Sequence, residues 1–269
     1  MLLLSLPYIQ IFRSRLKLDI LKNLLTGDKD LSELKNVLGS SGSTIIHALN
    51  DLNELDFTDK DEKKYKLTPL GVIGAQNIMY TLLNNKVLEK YRDYWITHDI
   101  TGLPANLLKD IGELCDSVLV RNDSTDLNKV HSTFRSILLT SKSVKGISPI
   151  FHPDFIEVFK KMLDLGAVID LILTPEVLER TMSLVDREEL LGPIEENKLN
   201  IFISDSLRVA LTVTENSFSM GLYSLSGEYD YSMDLVSNNI KAIEWGERLY
   251  QYNLKNSIPF NQMNSKLVK

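Results

Sequence analysis

The chain has 269 residues, of which 43% are hydrophobic and 25% are charged, and its formal net charge is −6 at pH 7. This composition is typical of a globular protein of about two domains, and it excludes global disorder and a uniformly basic, coat-like nucleic-acid binder. The single cysteine, Cys115, excludes a disulfide framework and a multi-cysteine metal centre. We find neither a signal peptide nor an apolar stretch of about 18 residues, so we expect a cytoplasmic protein with no membrane partner.

The charge is unevenly distributed along the chain. Residues 1–80 contain ten basic and ten acidic residues, whereas the remainder contains twenty basic and twenty-six acidic residues. All of the net negative charge therefore lies in the C-terminal two thirds, which indicates two modules with different partners. We predict a DNA-binding domain over residues 1–80, a connecting helix over 81–100, and a sensing or dimerisation domain over 101–269.

The N-terminal region has the pattern of a winged helix-turn-helix. Apolar residues at helical spacing predict helices over residues 14–26, 30–38 and 42–55. A Gly/Ser turn joins the last two helices, and a lysine-rich hairpin, the wing, follows at 57–67. Thr68-Pro69 then predicts the start of another helix. The alternative is a small helical domain with an accidental hairpin.

The third helix would be the recognition helix. Its outward face carries four polar residues that can contact base edges in the major groove: Ser43, Thr44, His47 and Asn50. It contains no lysine or arginine, so phosphate contacts are expected from the wing residues Lys63, Lys64 and Lys66. We therefore expect modest, salt-sensitive binding by one module and tighter binding to double-stranded DNA by a homodimer. An ordinary solvated helix face would have the same residues.

Two runs in this region carry a resemblance to a known group of proteins. They are Ser43-Thr44-Ile45-Ile46-His47-Ala48-Leu49-Asn50-Asp51-Leu52 and Tyr65-Lys66-Leu67-Thr68-Pro69-Leu70-Gly71. They resemble archaeal winged-helix transcriptional regulators related to the ArsR and MarR types. Those families often have glycine where this chain has Leu55-Asp56-Phe57, and Asp56 can still adopt the left-handed backbone of such a turn.

Residues 69–97 are predicted to form one long helix. Such a helix would be about 40 Å long. It exceeds what one small winged-helix domain can cover, so it either spans to the second module or packs against a partner chain.

The C-terminal region alternates strands and helices and ends in a hairpin, which predicts an α/β domain with a mixed sheet. The predicted strands cover 117–120, 143–148, 167–173, 201–203, 208–214 and 217–223. The predicted helices cover 126–138, 153–165, a segment starting at Thr174-Pro175, and 232–250, and a solvated loop is expected around Gly192-Pro193. The fold class is therefore α/β overall, with an α+β winged helix first.

Several runs in this region resemble the C-terminal domain of the methanogenesis regulatory protein family. They include Gly146-Ile147-Ser148-Pro149-Ile150-Phe151-His152-Pro153-Asp154-Phe155, Ser219-Met220-Gly221-Leu222-Tyr223, Gly227-Glu228-Tyr229-Asp230 and Trp245-Gly246-Glu247. The resemblance implies a transcriptional regulator with a sensing or dimerising domain, and it does not specify the ligand. The element order also resembles one repeat of a phospholipase-D-like sheet.

Two sets of polar residues are candidates for contacting an effector. His152 and Asp154 follow a strand, at the sheet edge where ligands of open α/β sheets bind. Thr214, Glu215 and Tyr223 on the hairpin form the second set. The alternative for Asp154 is a carboxylate that stabilises the first turn of a helix. The four histidines are scattered along the sequence, so we expect no metal site, and no motif indicates a cofactor.

We therefore predict a DNA-binding transcriptional regulator that is not an enzyme. The alternative is a hydrolase or small-molecule enzyme in which the winged helix is a protein-interaction module. Phospholipase-D chemistry needs a His-x-Lys pair, and none of the four histidines has a lysine two residues later.

Overall fold

A computed structural model describes residues 8–262, and it divides into two compact units, one ending at Asn85 and one beginning at Lys86. Each unit is described by itself. The helices of the first unit are α1 (Ile9–Phe12), α2 (Arg15–Leu24), α3 (Leu31–Leu38), α4 (Gly42–Glu54) and α5 (Pro69–Lys90), whose last residues belong to the second unit. Its strands are β1 (Lys29–Asp30), β2 (Thr58–Asp61) and β3 (Lys64–Leu67), in the antiparallel order β1-β3-β2.

The helix boundaries follow from capping residues in the sequence. The Asp30 side chain accepts the Glu33 N–H, and the Glu33 carboxylate accepts the Asp30 N–H, which closes a capping box at α3. Ser41 caps α4, and the Thr68 hydroxyl accepts the Gly71 N–H at the start of α5 at 2.9 Å. These helices and the β2-β3 hairpin confirm the predicted winged helix-turn-helix fold.

The turn after α4 has the backbone that the sequence predicted. Asp56 has a φ of 58°, in the left-handed region, and it is followed by Phe57, whose side chain is 2% exposed. Phe57 packs in one apolar core with Ile20 and Leu49. An aspartate therefore adopts the left-handed backbone at this turn.

The second unit alternates helices and strands. Its helices are α6 (Arg92–Thr97), α7 (Ala105–Lys109), α8 (Lys129–Leu139), α9 (Pro153–Asp164), α10 (Pro175–Met182), α11 (Arg187–Glu195) and α12 (Ile240–Leu254), with a short 3-10 helix at Ile111–Leu114. Its strands are β4 (His98–Asp99), β5 (Val118–Arg121), β6 (Ser143–Ser148), β7 (Val168–Leu173), β8 (Leu199–Ile203), β9 (Val209–Thr214), β10 (Phe218–Ser224), β11 (Met233–Ser237) and β12 (Ile258–Pro259).

These strands form one mixed sheet in the order β12-β8-β7-β6-β9-β10-β11-β5, with β4 paired to β10. Strands β6, β7 and β8 are parallel, whereas β9, β10, β11 and β5 are antiparallel to their neighbours. The β9-β10 hairpin and the mixed sheet confirm the predicted α/β class. Within residues 8–262, no helix is both long enough and apolar enough to cross a membrane.

Three predicted elements were wrong. The predicted helix over 232–250 begins only at Ile240, because Met233–Ser237 is strand β11 between β10 and β5. The predicted loop around Gly192-Pro193 lies inside α11. The predicted helix over 69–97 is interrupted at Tyr91, whose ψ of 29° breaks the regular path between α5 and α6.

The two faces of the large sheet pack against different helices. One face packs against α12, where Trp245 is fully buried and donates its indole N–H to the Leu107 carbonyl at 3.0 Å. The other face packs against α8, α9, α10 and α11, with Leu171 and Ile201 among its buried side chains. This second face holds the candidate effector site.

Candidate nucleic-acid interface and effector cavity

The recognition helix α4 has a buried face and an exposed face. Its buried face includes Ile45, Leu49 and Leu52, and its exposed residues include those predicted to contact DNA: Ser43, Thr44, His47 and Asn50. The side chains of Ser43 and Thr44 lie within hydrogen-bond distance of the Ser41 hydroxyl, at 2.9 and 2.7 Å. The predicted DNA-contacting residues of α4 thus share one accessible surface.

An ion pair neutralises part of the negative charge at the C-terminal half of α4. Lys17 Nζ lies 2.7 Å from Asp51 Oδ2, and this hydrogen bond, together with the lysine's charge, holds the pKa of Asp51 below its usual value. His47 Nδ1 lies 3.4 Å from Asp51 Oδ1, while its side chain stays 81% exposed. Lys17 therefore offsets an acid that would otherwise oppose DNA phosphates.

The wing presents its lysines unequally. Lys63 and Lys64 are exposed at the tip, next to Glu62, whose φ of 52° allows the tight turn. Lys66 Nζ lies 3.0 Å from Asp61 Oδ2, and this hydrogen bond raises the pKa of the lysine. Lys63 and Lys64 are therefore better placed than Lys66 to contact phosphates.

The second unit contains a cavity of about 560 Å³, within the usual range for small-molecule sites. Its walls are apolar side chains of α8 and α9, including Phe134, Phe155 and Phe159. Its floor is the sheet face that those helices cover. The cavity can therefore hold a molecule of drug-like size.

Small residues on neighbouring strands form part of the floor of this cavity. Ala210 on β9 is the cross-strand partner of Gly221 on β10, and Gly146 on β6 is the partner of Thr212 on β9. All four line the cavity. On this face, strands β7 and β8 carry larger residues such as Leu171, which fill the space beneath the helices. The floor thus changes from large and apolar to small and polar across the sheet.

A buried carboxylate lies on the polar half of the floor. Asp234 on β11 is 9% exposed, and its Oδ2 accepts a hydrogen bond from the Ser219 hydroxyl at 3.0 Å. Burial raises the pKa of Asp234 to about 7. The sequence analysis missed this residue, because it lay in a segment that was predicted to be helical.

Two of the histidines meet at the cavity, although all four are scattered along the sequence. His131 Nε2 on α8 lies 3.1 Å from Asp154 Oδ2, and the His131 and His152 rings are 4.4 Å apart. The ligand atoms of His131, His152 and Asp154 lie within 4.8 Å of one another. Two imidazoles and a carboxylate are ligand types that transition metals accept, so the scatter of the histidines along the sequence does not argue against a metal site.

His152 and Asp154 also have structural roles. The His152 ring accepts the Asp154 N–H at 3.2 Å, which caps α9, and Asp154 lies in its first turn. Asp154 therefore lies where a carboxylate stabilises the first turn of a helix, which is the alternative raised from the sequence. It also lines the cavity, which agrees with the predicted place at the sheet edge. The missed partner is His131, which only the packing of α8 against α9 brings close.

The second predicted polar set does not line this cavity. The Thr214 hydroxyl accepts the N–H groups of Asn216 and Ser217 in the hairpin turn. The Glu215 carboxylate accepts the N–H groups of Lys142 and Ser143, at the opposite end of β6 from His152, and these bonds lower its pKa against the effect of burial.

Tyr223, the third member of that set, lies elsewhere in the second unit. Its ring stacks under the Arg208 guanidinium, 4.8 Å from the ring centre, and lines a separate shallow pocket. The structure therefore does not bring Thr214, Glu215 and Tyr223 together.

The geometry defines a winged helix-turn-helix protein with an α/β unit that contains a ligand-sized cavity. Two family models match the chain: the N-terminal domain of methanogenesis regulatory protein FilR1 over residues 9–84, and the middle domain of the same protein over residues 127–256. The chain belongs to the methanogenesis regulatory protein FilR1 family.

The chain is also similar to one curated protein and to several solved structures. Methanogenesis regulatory protein FilR1 of Methanothrix harundinacea (strain 6Ac) is 31% identical over 248 residues, which cover 89% of this chain and 54% of that protein. The chain thus spans about half the length of this curated relative. Among solved structures, the archaeal chromatin protein TrmBL2 is 14% identical, with a TM-score of 0.43 over 88% of this chain and 90% of that one. NucT from Helicobacter pylori is 14% identical, with a TM-score of 0.40 over 54% of this chain and 98% of that one.

Proposed function

We propose that the protein is a DNA-binding transcriptional regulator whose first unit reads promoter double-stranded DNA. The exposed polar face of α4, in a helix-turn-helix with a wing, carries this proposal. Membership of a family named for a regulatory protein supports it. The ArsR or MarR subtype stays a prediction.

In this mechanism α4 enters the major groove and the wing contacts the backbone. His47 and Asn50 contact base edges, and a bidentate contact between an asparagine such as Asn50 and adenine is worth about 1–3 kcal/mol of discrimination. Lys63 and Lys64 contact phosphates. Because the first 80 residues have no net charge, one module binds weakly and a homodimer is needed for tight binding.

The test begins with a genome-wide DNA-binding selection on the purified protein, followed by fluorescence anisotropy on the selected site. We expect Asn50→Ala to reduce discrimination between that site and a mutated one. Lys63→Ala and Lys64→Ala should each reduce the slope of log affinity against log salt by about 1. Lys255→Ala, which removes an exposed lysine of the second unit, is the matched control. Unchanged slopes for both wing variants would refute the wing assignment.

A homodimer is part of this proposal. Within the first unit, helix α5 exposes neighbouring apolar side chains, among them Leu70 at 42% and Ile73 at 61%. Exposed apolar residues along one helix are a common feature of association surfaces. Light scattering coupled to size-exclusion chromatography tests this part, and a monomer at the concentration used for DNA binding would contradict it.

The second unit, in this proposal, binds a small-molecule effector in its cavity and acts in the cytoplasm as a sensor, not as an enzyme. Binding would shift the balance between DNA-competent and incompetent arrangements only by the ligand's differential affinity for them. The cluster of His131, His152 and Asp154 is the observation that favours the enzymatic alternative. A phosphodiesterase screen with His152→Ala as control separates the two, since turnover that this variant loses would show an enzyme.

A further inference from the structure

One polar atom on the cavity floor has no partner. Asp234 Oδ1 is buried, and among residues 8–262 no group donates a hydrogen bond to it. Native proteins rarely leave a buried carboxylate oxygen unpaired, because desolvation costs about 1–3 kcal/mol or more for a charged group. This atom is therefore where a ligand group would gain the most.

The neighbours of Asp234 hold it in place without neutralising it. Ser219 binds its other oxygen, and an ideal Cβ on Gly221 would lie 2.6 Å from Oδ1 and 2.0 Å from the Tyr229 hydroxyl. Only glycine leaves space for both groups above this strand. The titratable groups that face Asp234 are Tyr94 on α6 and Tyr229 and Asp230 on the segment before β11, and none of these is a cation.

The segment before β11 is itself anchored. Asp230 Oδ2 lies 3.1 Å from His98 Nε2, and Asp230 Oδ1 accepts the Ser232 N–H at 2.8 Å. The Tyr229 ring packs edge to face on Tyr231, with the ring centres 5.0 Å apart. His98 therefore pairs with Asp230, and among residues 8–262 no cationic side chain pairs with Asp234.

Among the described residues that line the cavity, carboxylates outnumber lysines. The charged groups of the lining comprise three carboxylates, Asp154, Glu189 and Asp234, one lysine, Lys160, and the two histidines. Lys160 Nζ lies 2.6 Å from Glu189, so its charge is already paired. Asp154 is shared between His131 and Arg135. The unsatisfied charge in the cavity is thus negative and belongs to Asp234.

Aromatic side chains complete the chemistry of the cavity. Phe134 and Phe155 have ring centres 4.9 Å apart on the wall, and Tyr229 and Tyr231 flank the floor. Aromatic faces beside a carboxylate attract organic cations and repel anions. The apolar wall would take the body of such a molecule.

We propose that the cavity binds a hydrophobic amine, with its ammonium group against the Asp234 carboxylate and its apolar body between the aromatic side chains of α8 and α9. This inference deepens the proposed effector role and rests on it for any effect on DNA binding, whereas binding of the amine itself does not depend on that role. A cation supplies the missing donor and the missing counter-charge at one point.

The test uses three probes of one shape: phenylbutylamine, phenylbutanol and phenylbutyrate, measured by isothermal titration calorimetry on the full chain. We expect the amine to bind at least about tenfold more tightly than the alcohol, because a charge-assisted hydrogen bond is the stronger. The carboxylate should not bind. At pH 7 the amine should also release protons into the buffer, because burial holds the pKa of Asp234 near 7 in the empty cavity.

Two variants locate the effect. Asp234→Asn keeps the shape and removes the charge, so it should lose at least about tenfold in affinity for the amine and keep its affinity for the alcohol. Asp205→Asn, which changes an exposed acid outside the cavity lining, should match the parent protein. If Asp234→Asn fails to fold, the three probes on the unaltered protein still decide.

The proposal is overturned if the amine and the alcohol bind equally, if the carboxylate binds best, if none binds at millimolar concentration, or if Asp234→Asn retains full amine affinity. DNA binding is measured separately by anisotropy with and without the amine. Amine binding by a protein that does not bind DNA would refute the proposed function alone, and DNA binding without amine binding would refute this inference alone.

Discussion

Strands β9 and β10 show two opposite surfaces made from alternate residues of the same segments. Toward α12 they present Leu211, Val213 and Phe218, which are buried against Trp245. Toward α8 and α9 they present Ala210 and Gly221, together with Thr212 and Ser219, and a cavity lies there instead of a packed core. The alternation of a β-strand places side chains on each face, but their volume decides whether the space between layers is filled.

We call the sheet face that packs against α12 the filled face, and the face with the cavity the hollow face. The largest expected effect on stability lies on the filled face. Trp245→Ala removes a fully buried indole and its hydrogen bond to Leu107, so we expect a loss of about 3–5 kcal/mol in the free energy of unfolding. Phe155→Ala on the cavity wall should cost distinctly less, because that ring already borders empty space. Urea unfolding of both variants makes the measurement, and equal losses would remove the contrast between the two faces.

The buried acid of the hollow face should make stability depend on pH. The folded state keeps Asp234 protonated up to a pKa of about 7, whereas the unfolded chain ionises it near pH 4. Between pH 4 and 7 the folded state therefore binds more protons than the unfolded chain does. The free energy of unfolding accordingly falls as the pH rises. The upper limit of this loss is about 4 kcal/mol.

Asp234→Asn isolates this effect from all other titrations. The variant should be closest in stability to the parent protein at pH 4 and clearly more stable than the parent at pH 8, by urea unfolding at both values. A difference between the two proteins that stays constant from pH 4 to pH 8 would show that Asp234 ionises normally in the folded state.

Replacing one alanine with leucine on each face should change the stability by smaller amounts and in opposite directions. Ala210→Leu adds methylene groups to the cavity, and we expect it to increase stability by about 0.5–2 kcal/mol while blocking amine binding. Ala242→Leu adds the same atoms to the filled face, where Ala242 is 0% exposed, and should cost about 1–3 kcal/mol. Thermal unfolding compares the two, and destabilisation by both would mean that the cavity cannot accept a side chain.

Much of the fold was predictable from short segments. Thr68-Pro69 and Thr174-Pro175 marked the starts of α5 and α10, and the structure confirms both. Strand β7 was predicted from a near-continuous apolar run, and β6 from a short segment that ends at Pro149. Local hydrogen bonds and local polarity decide these elements, so neighbouring residues in the sequence contain the information.

The missed elements depend on distant partners. Met233–Ser237 has an apolar content that also suits a helix, and it is a strand because β10 and β5 lie on both sides of it. Pro193 removes one intrahelical N–H, yet it lies inside α11, whose Leu190 packs in the same apolar core as Ile201. His131 reaches His152 only through the packing of α8 on α9.

The sequence by itself determined the winged helix, the polar face of α4 and the α/β class, because capping, periodicity and turn chemistry act over a few residues. Only the tertiary structure decided where the cavity lies and which acid it buries. Gly146, Ala210, Gly221 and Asp234 come from separate strands, and none of them is unusual in its own segment. Their small volumes and the unpaired carboxylate acquire meaning when β6, β9, β10 and β11 lie side by side beneath the helices.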